Sequence, residues 1–315
     1  MSNNRPRSSG QTQKSNASAQ QPNAAATKKS ASSQRFAERQ AAKQQAAREE
    51  RRGRTRTYGI VTIALVVLVV AVLVIVKVAG GGGSSGVVDV PSPPAGTPIP
   101  AVTLAKLQSV PVSTLTAAPT GGILTTPQSV NNPALTADGK PELLYIGAEY
   151  RPHCAAERWP LYIALSKFGT FKPQPGRIHS ANEDGDVPTL TFYGTTYTSP
   201  YFTFTPVEVY TNRPAGNGYA ILQAPTQAQL TLWENTNGGE FPFVDFGGKQ
   251  VLPSAQYSFA DLQNLPFSAV AAQVGNNSTS IGADIDASAA QLITTICGSL
   301  SKHQPAAVCS AVHSG

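Results

Sequence analysis

The sequence predicts an α/β domain held on the far side of a membrane by one helix, and three observations predict it. An uncharged apolar run occupies residues 59–76. Arginines crowd the N-terminal flank of that run, whereas glycine and serine follow it. From residue 102 onward, short β-branched and aromatic runs alternate with longer segments of helical periodicity, the pattern of a mixed α/β fold.

The apolar run reads GIVTIALVVLVVAVLVIV. As a helix it extends ~27 Å at 1.5 Å per residue, close to the hydrocarbon thickness of a bilayer. Tyr58 and Lys77 stand at its ends as interfacial anchors, which sets the transmembrane segment at residues 58–79. A cleaved signal peptide fits poorly, because the preceding region is too long and Lys77 occupies the position where cleavage after Ala79 needs a small residue. Arg48, Arg51, Arg52, Arg54 and Arg56 precede the run, so the positive-inside rule places the N-terminus in the cytoplasm and the remainder outside.

Charge is distributed accordingly. The net charge of +6 conceals a basic tail, with 13 Lys/Arg against 3 Asp/Glu in residues 1–58, and an acidic remainder, with 10 against 15 in residues 80–315. The basic excess lies beside the apolar run, where anionic lipid headgroups are its partner, and a nucleic-acid-binding function is excluded for the folded part. Residues 1–57 form the tail. Its first 33 residues are polar and without periodicity, hence disordered. Residues 34–52 are helix formers that suit either a helix on the inner leaflet, anchored by Phe36, or a solvated charged segment. Residues 80–101, GGGGSSGVVDVPSPPAGTPIPA, read as a linker, flexible first and proline-stiffened later.

Within residues 102–315 the pattern predicts a strand over 143–148 and a helix over 154–168 that Pro160 should kink. Strands follow over 190–193 and 201–209, then a helix over 226–234. A strand over 243–246 turns at Gly247 and Gly248 into a partner strand, and a last helix covers 283–300.

The segment most informative about chemistry is 142–160, ELLYIGAEYRPHCAAERWP: an apolar strand, a short loop, then Pro-x-Cys at a helix start. It resembles the strand–loop–helix of the thioredoxin fold, in which a Cys-x-x-Cys pair opens the helix and the helix N-terminus stabilises a thiolate. The run Phe241-Pro242-Phe243-Val244-Asp245-Phe246-Gly247-Gly248-Lys249 resembles the proline, strand and hairpin of the same fold. By that resemblance Pro242 is the cis-proline that faces the active-site cysteines. The longer run from Ile146 to Trp159, with Ser166–Phe171, Tyr197–Tyr201 and the closing segment from Ile296 to Cys309, resembles a prokaryotic family, the domain of unknown function nine-two-nine, itself thioredoxin-like. The resemblance covers residues 105–315 and implies a thioredoxin-like α/β domain with insertions.

The motif departs from its relatives, which usually carry Glu-Tyr-Cys-Pro-x-Cys. This chain has Glu149-Tyr150-Arg151-Pro152-His153-Cys154, so Arg151 replaces the attacking cysteine and only the resolving position keeps a thiol. The chain has three cysteines. Outside the membrane, Cys297 and Cys309 would pair as a structural disulfide and leave Cys154 as the odd thiol, although the sequence also allows Cys154 to pair with either. Cys154 is then either a thiol activated by Arg151, His153 and the helix start, or an inert core residue.

No metal site is expected. His153 and Cys154 are adjacent and point apart, and His179, His303 and His313 stand at no ligand spacing. Glu183, Asp184 and Asp186 read as a solvated acidic loop. Nucleotide and hydrolase fingerprints are absent, so no cofactor is expected. Three functional expectations follow: a redox-degenerate module that holds an extended polypeptide near Pro242; an oxidoreductase in which Cys154, as the catalytic residue, works with a partner's thiol; and a structural component of an envelope complex.

Overall fold

A computed structural model of the chain describes residues 96–182, 185–300 and 305–313. The stretches expected to form the tail (1–57, with the helix considered over 34–52), the transmembrane segment (58–79) and the greater part of the linker lie outside the described residues, as do Glu183, Asp184 and His303. Among the described residues, no helix is long and apolar enough to cross a membrane.

In chain order the elements are β1 (Thr97–Pro98), α1 (Ala101–Ser109), α2 (Val112–Thr116), β2 (Gln128–Ser129), β3 (Thr136–Ala137), β4 (Lys140–Gly147) and α3 (Pro152–Leu165). There follow β5 (Thr170–Phe171), β6 (Gly176–His179), β7 (Pro188–Thr191), β8 (Tyr197–Thr198), β9 (Thr203–Glu208), β10 (Tyr210–Ala215) and β11 (Gly218–Ile221). The chain continues through α4 (Gln227–Asn237), β12 (Phe243–Phe246), β13 (Gln250–Leu252), a single 3-10 turn (Ala260–Leu262), α5 (Phe267–Gln273), α6 (Ser280–Ser299) and α7 (Ala306–His313). The fold is mixed α/β.

β4 is the centre. It pairs in parallel with β9 on one side, over Glu142–Gly147 against Thr203–Glu208, and antiparallel with β12 on the other. β13 continues the sheet beyond β12, and β2 closes that edge. The crossover from β4 to β9 carries α3 and a long insertion holding β5 to β8. In it β6 and β7 pair with each other and β5 with β8. β1 joins the β6 edge, so ordered structure begins inside the stretch that composition assigns to the linker.

The strand period of two distributes β4 between two apolar layers. Leu143 and Tyr145 face the larger one, with Val244, Phe246, α3 and α6; Leu144 and Ile146 face the smaller one, closed by Leu230 and Trp233 of α4. A helix with apolar neighbours all round is a core helix, and α3 is buried over nearly its whole length, Glu157 and Arg158 included.

Pro160 sits inside α3 without ending it. A proline there has no N–H to give to the carbonyl four residues back. That carbonyl, of Ala156, accepts instead from the Tyr257 hydroxyl at 2.8 Å, and its neighbour Ala155 accepts from the Thr189 hydroxyl at 2.7 Å. The helix tolerates the proline because the tertiary structure supplies the missing donor. The turn between β12 and β13 needs its glycines: Gly247 and Gly248 have φ of 69° and 76°, and a Cβ on Gly248 would meet the Pro133 carbonyl oxygen at 2.2 Å. Thr226 begins α4 with a capping box closed by Gln229.

Candidate functional site

The motif loop lies where β4 hands over to α3. Arg151 is the N-cap of that helix, Pro152 its first residue, and Cys154 falls in its first turn. The loop is pinned from several sides: the Glu149 N–H donates to the Tyr210 carbonyl at 2.8 Å, and the Ala181 N–H to the Tyr150 carbonyl at 3.1 Å. Tyr150 stacks on Tyr219 of the β10–β11 hairpin with ring centroids 4.0 Å apart. Arg151 reaches Glu240 at 3.7 Å, which links the loop to the segment preceding β12. His153 meets Phe259 edge-on, and burial, helped by the Arg151 charge, lowers its pKa.

Cys154 is the free cysteine among the described residues and is fully buried. Burial outweighs the helix start and the Arg158 charge and pushes the thiol up, so the group is a thiol and not a thiolate at neutral pH. Its sulfur accepts a hydrogen bond from the Ala148 N–H at 3.5 Å. Cys297 and Cys309 form a disulfide between α6 and α7, with Cα atoms 5.7 Å apart. His179 pairs with Asp186 at 3.1 Å. His313 ends α7, well along the chain from His179. No group of three or more potential metal ligands occurs among the described residues.

The Phe241–Pro242 peptide bond is cis. Pro242 immediately precedes β12 and therefore lies at the end of the sheet from which the motif loop departs, since Phe243 pairs with Ile146. The β4–β12 ladder alternates, and the bond from the Gly247 N–H to the Glu142 carbonyl fixes which pairs exchange hydrogen bonds. On that count, Phe241 and Ala148 would be the next bonded pair. The pair is not made. The Ala148 N–H goes to Cys154 Sγ and its carbonyl accepts from the Arg151 N–H at 3.3 Å. Phe241 is left with both main-chain groups unpaired among the described residues, whereas the adjacent Glu240 carbonyl is taken by Trp233 and Asn237.

Beneath Cys154 lies a buried ion pair that sequence reasoning missed. Arg158, one turn further along α3, donates from Nε and Nη2 to the Glu208 carboxylate at 2.8 and 2.7 Å, and both side chains are fully buried. Burial opposes the guanidinium charge, but Glu208 outweighs it and holds the proton on Arg158. The Tyr145 ring lies 6.0 Å from this guanidinium, and its hydroxyl reaches back over Gly147, where a Cβ would meet it at 2.1 Å. Glu149 completes the cluster. It accepts from the Thr191 hydroxyl at 2.7 Å, and burial, with the Glu208 charge nearby, raises its pKa to about 7. The available signal was local: Glu157 and Arg158 are adjacent charges in a helix otherwise apolar on every face.

No curated protein and no solved structure matches the chain. Residues 126–298, which run from just before β2 to near the end of α6 and contain the whole motif, the cut ladder and the buried ion pair, match the family model "Domain of unknown function (DUF929)", and the chain belongs to that family.

Proposed function

We propose that the protein is a membrane-anchored, extracytoplasmic module whose domain is thioredoxin-like but redox-degenerate, and that it holds an extended polypeptide against Phe241. Several features support the thioredoxin-like reading. The sheet order is β13–β12–β4–β9, with β9 parallel to β4 and the other two antiparallel to their neighbours. The strand before the motif is central, and a cis-proline opens the strand beside it. The anchor rests on the apolar run and its arginine flank.

The observation that carries the binding function is the missing rung between Phe241 and Ala148. It leaves the Phe241 N–H and C=O without main-chain partners among the described residues, and main-chain pairing to such groups is how a partner strand docks. Tyr210 and Trp233 pack around the Phe241 ring and give such a strand an apolar surface. The same rung explains the role of the lone sulfur: Cys154 acts as an acceptor that holds the Ala148 N–H away.

The test is selection of binding peptides on the purified full-length chain, followed by measurement of their affinity for Phe241→Pro, which lacks the N–H. Affinity should fall about tenfold or more, the equivalent of one buried hydrogen bond lost with its partner left unpaired. Undiminished binding by the variant would refute the mode of docking. Turnover of a model disulfide by the wild-type chain would refute the absence of redox function.

A further inference from the structure

We infer that a cleft beside the motif loop, separate from the Phe241 edge, binds a small organic acid that carries a hydroxyl or amino group. The cleft has a volume of about 590 Å³, within the range that holds small organic ligands. It is walled by β6, the β10–β11 hairpin and the start of α5, where Phe267 supplies an apolar surface. Its chemistry is unbalanced toward positive charge. Arg177 and Arg213 both line it, both are exposed, and neither joins an ion pair among the described residues. The third basic group, His179, is engaged with Asp186, and Asn212 is fixed by donating to the His179 carbonyl at 2.8 Å. Two guanidinium groups on one cleft, neither in a direct ion pair although Arg213 is near enough for its charge to act on Glu149, suit a carboxylate, which each can grip through two parallel N–H donors.

The second half of the assignment rests on Glu149. Only 6% of this residue is exposed, yet it lines the same cleft. One carboxyl oxygen is used by Thr191; the other accepts no hydrogen bond among the described residues and keeps accessible surface. A buried carboxyl with one oxygen unclaimed is a ready acceptor for a ligand's hydroxyl or amino group. A ligand that answers both features has a carboxylate at one end and a donor at the other.

Calorimetric titration of the full-length chain with malate and with succinate, which lacks malate's hydroxyl, tests this. At about 0.15 M salt, where exposed charges are screened beyond ~8 Å, malate should bind and succinate should bind more weakly. Arg177→Ala and Arg213→Ala should each weaken malate about tenfold, the equivalent of one charge-assisted hydrogen bond. Glu149→Ala should abolish the preference for malate, and Lys249→Ala, an exposed cation elsewhere, should change nothing. Both arginines are exposed, so their variants keep the test valid even if Glu149→Ala fails to fold. The inference is overturned if neither acid binds at about millimolar concentration, or if malate binds the double variant Arg177→Ala/Arg213→Ala as tightly as the wild type. Neither result bears on Phe241→Pro, so the two proposals stand or fall separately.

Discussion

At the scale of single residues, the buried contact between Arg158 and Glu208 is costly to break. Two fully buried charges are tolerated only as a pair, and removing one partner leaves the other without compensation. Arg158→Ala should therefore cost about 3–5 kcal/mol, whereas the double change Arg158→Met/Glu208→Leu should recover most of that loss. Chemical denaturation of the three proteins checks it; equal stability of the single and double variants would remove the pair from the account. Arg158 illustrates what a single residue's context conceals. A charge one turn after Cys154 is visible in the sequence, but its partner lies 50 residues away on another strand. Cys154 was better placed for sequence reasoning: its position as the motif's remaining sulfur is legible, but its bond to the Ala148 N–H depends on a turn that only the folded loop creates. Replacing it should show what it does. In Cys154→Ala the Ala148 N–H is released to donate to the Phe241 carbonyl, and a through-hydrogen-bond NMR coupling between the Ala148 amide nitrogen and the Phe241 carbonyl carbon should appear. Cys154→Ser retains an acceptor for the Ala148 N–H and should show no such coupling.

At the scale of elements, legibility followed local pattern. The strands expected over 143–148 and 243–246 are β4 and β12, because buried strands read as unbroken apolar runs and two glycines mark the hairpin. The helix expected over 283–300 is α6, which its apolar periodicity identifies, but it is not the last, because α7 follows it. The β10–β11 hairpin was not legible: Asn212, Arg213 and Pro214 are poor strand formers, and the ribbon exists because it packs against Tyr150. α1 was hidden by the proline-rich composition before it. Helix α3 shows the opposite case. Pro160 predicts a kink, and the helix runs on through it because Tyr257 and Thr189, distant in sequence, satisfy the neighbouring carbonyls. Tyr257→Phe should thus destabilise the fold by about 1–3 kcal/mol through the orphaned Ala156 carbonyl. A thermal denaturation series that places the loss near zero would mean that α3 absorbs the proline unaided.

At the scale of the whole molecule, buried carboxyl groups set how stability varies with pH. Burial raises Glu157 to about 8, Glu149 to about 7 and Asp286 to about 7, in each case well above the values expected in an unfolded chain. The folded state therefore binds more protons than the unfolded one. The stability these groups contribute is complete below their unfolded values and is lost as pH rises through their folded values. His153 works in the other direction, but its lowered pKa leaves it neutral in both states above about pH 7. Between pH 7 and about 8.5 the carboxyl groups lead, the buried Cys154 thiol, also pushed up, acts in the same direction, and melting temperature should fall. Glu157→Gln keeps an acceptor for the Gln256 N–H and removes the titrating proton, so it should flatten the upper part of that decline. A melting temperature that rises across this interval would contradict the burial argument.

The β10–β11 hairpin joins two surfaces that have been described apart. Tyr219 on this ribbon braces the motif loop through Tyr150, and Arg213 on the same ribbon forms a wall of the acid-binding cleft. A two-stranded arm is a marginal structure by itself and takes its order from what it touches. An acid that fastens Arg213 pays part of the entropy of fixing the ribbon, and the loop beside Phe241 then inherits a steadier support. By thermodynamic reciprocity, a polypeptide that steadies the loop tightens the cleft by the same factor. One short ribbon would in this way make the two ligands each other's effectors.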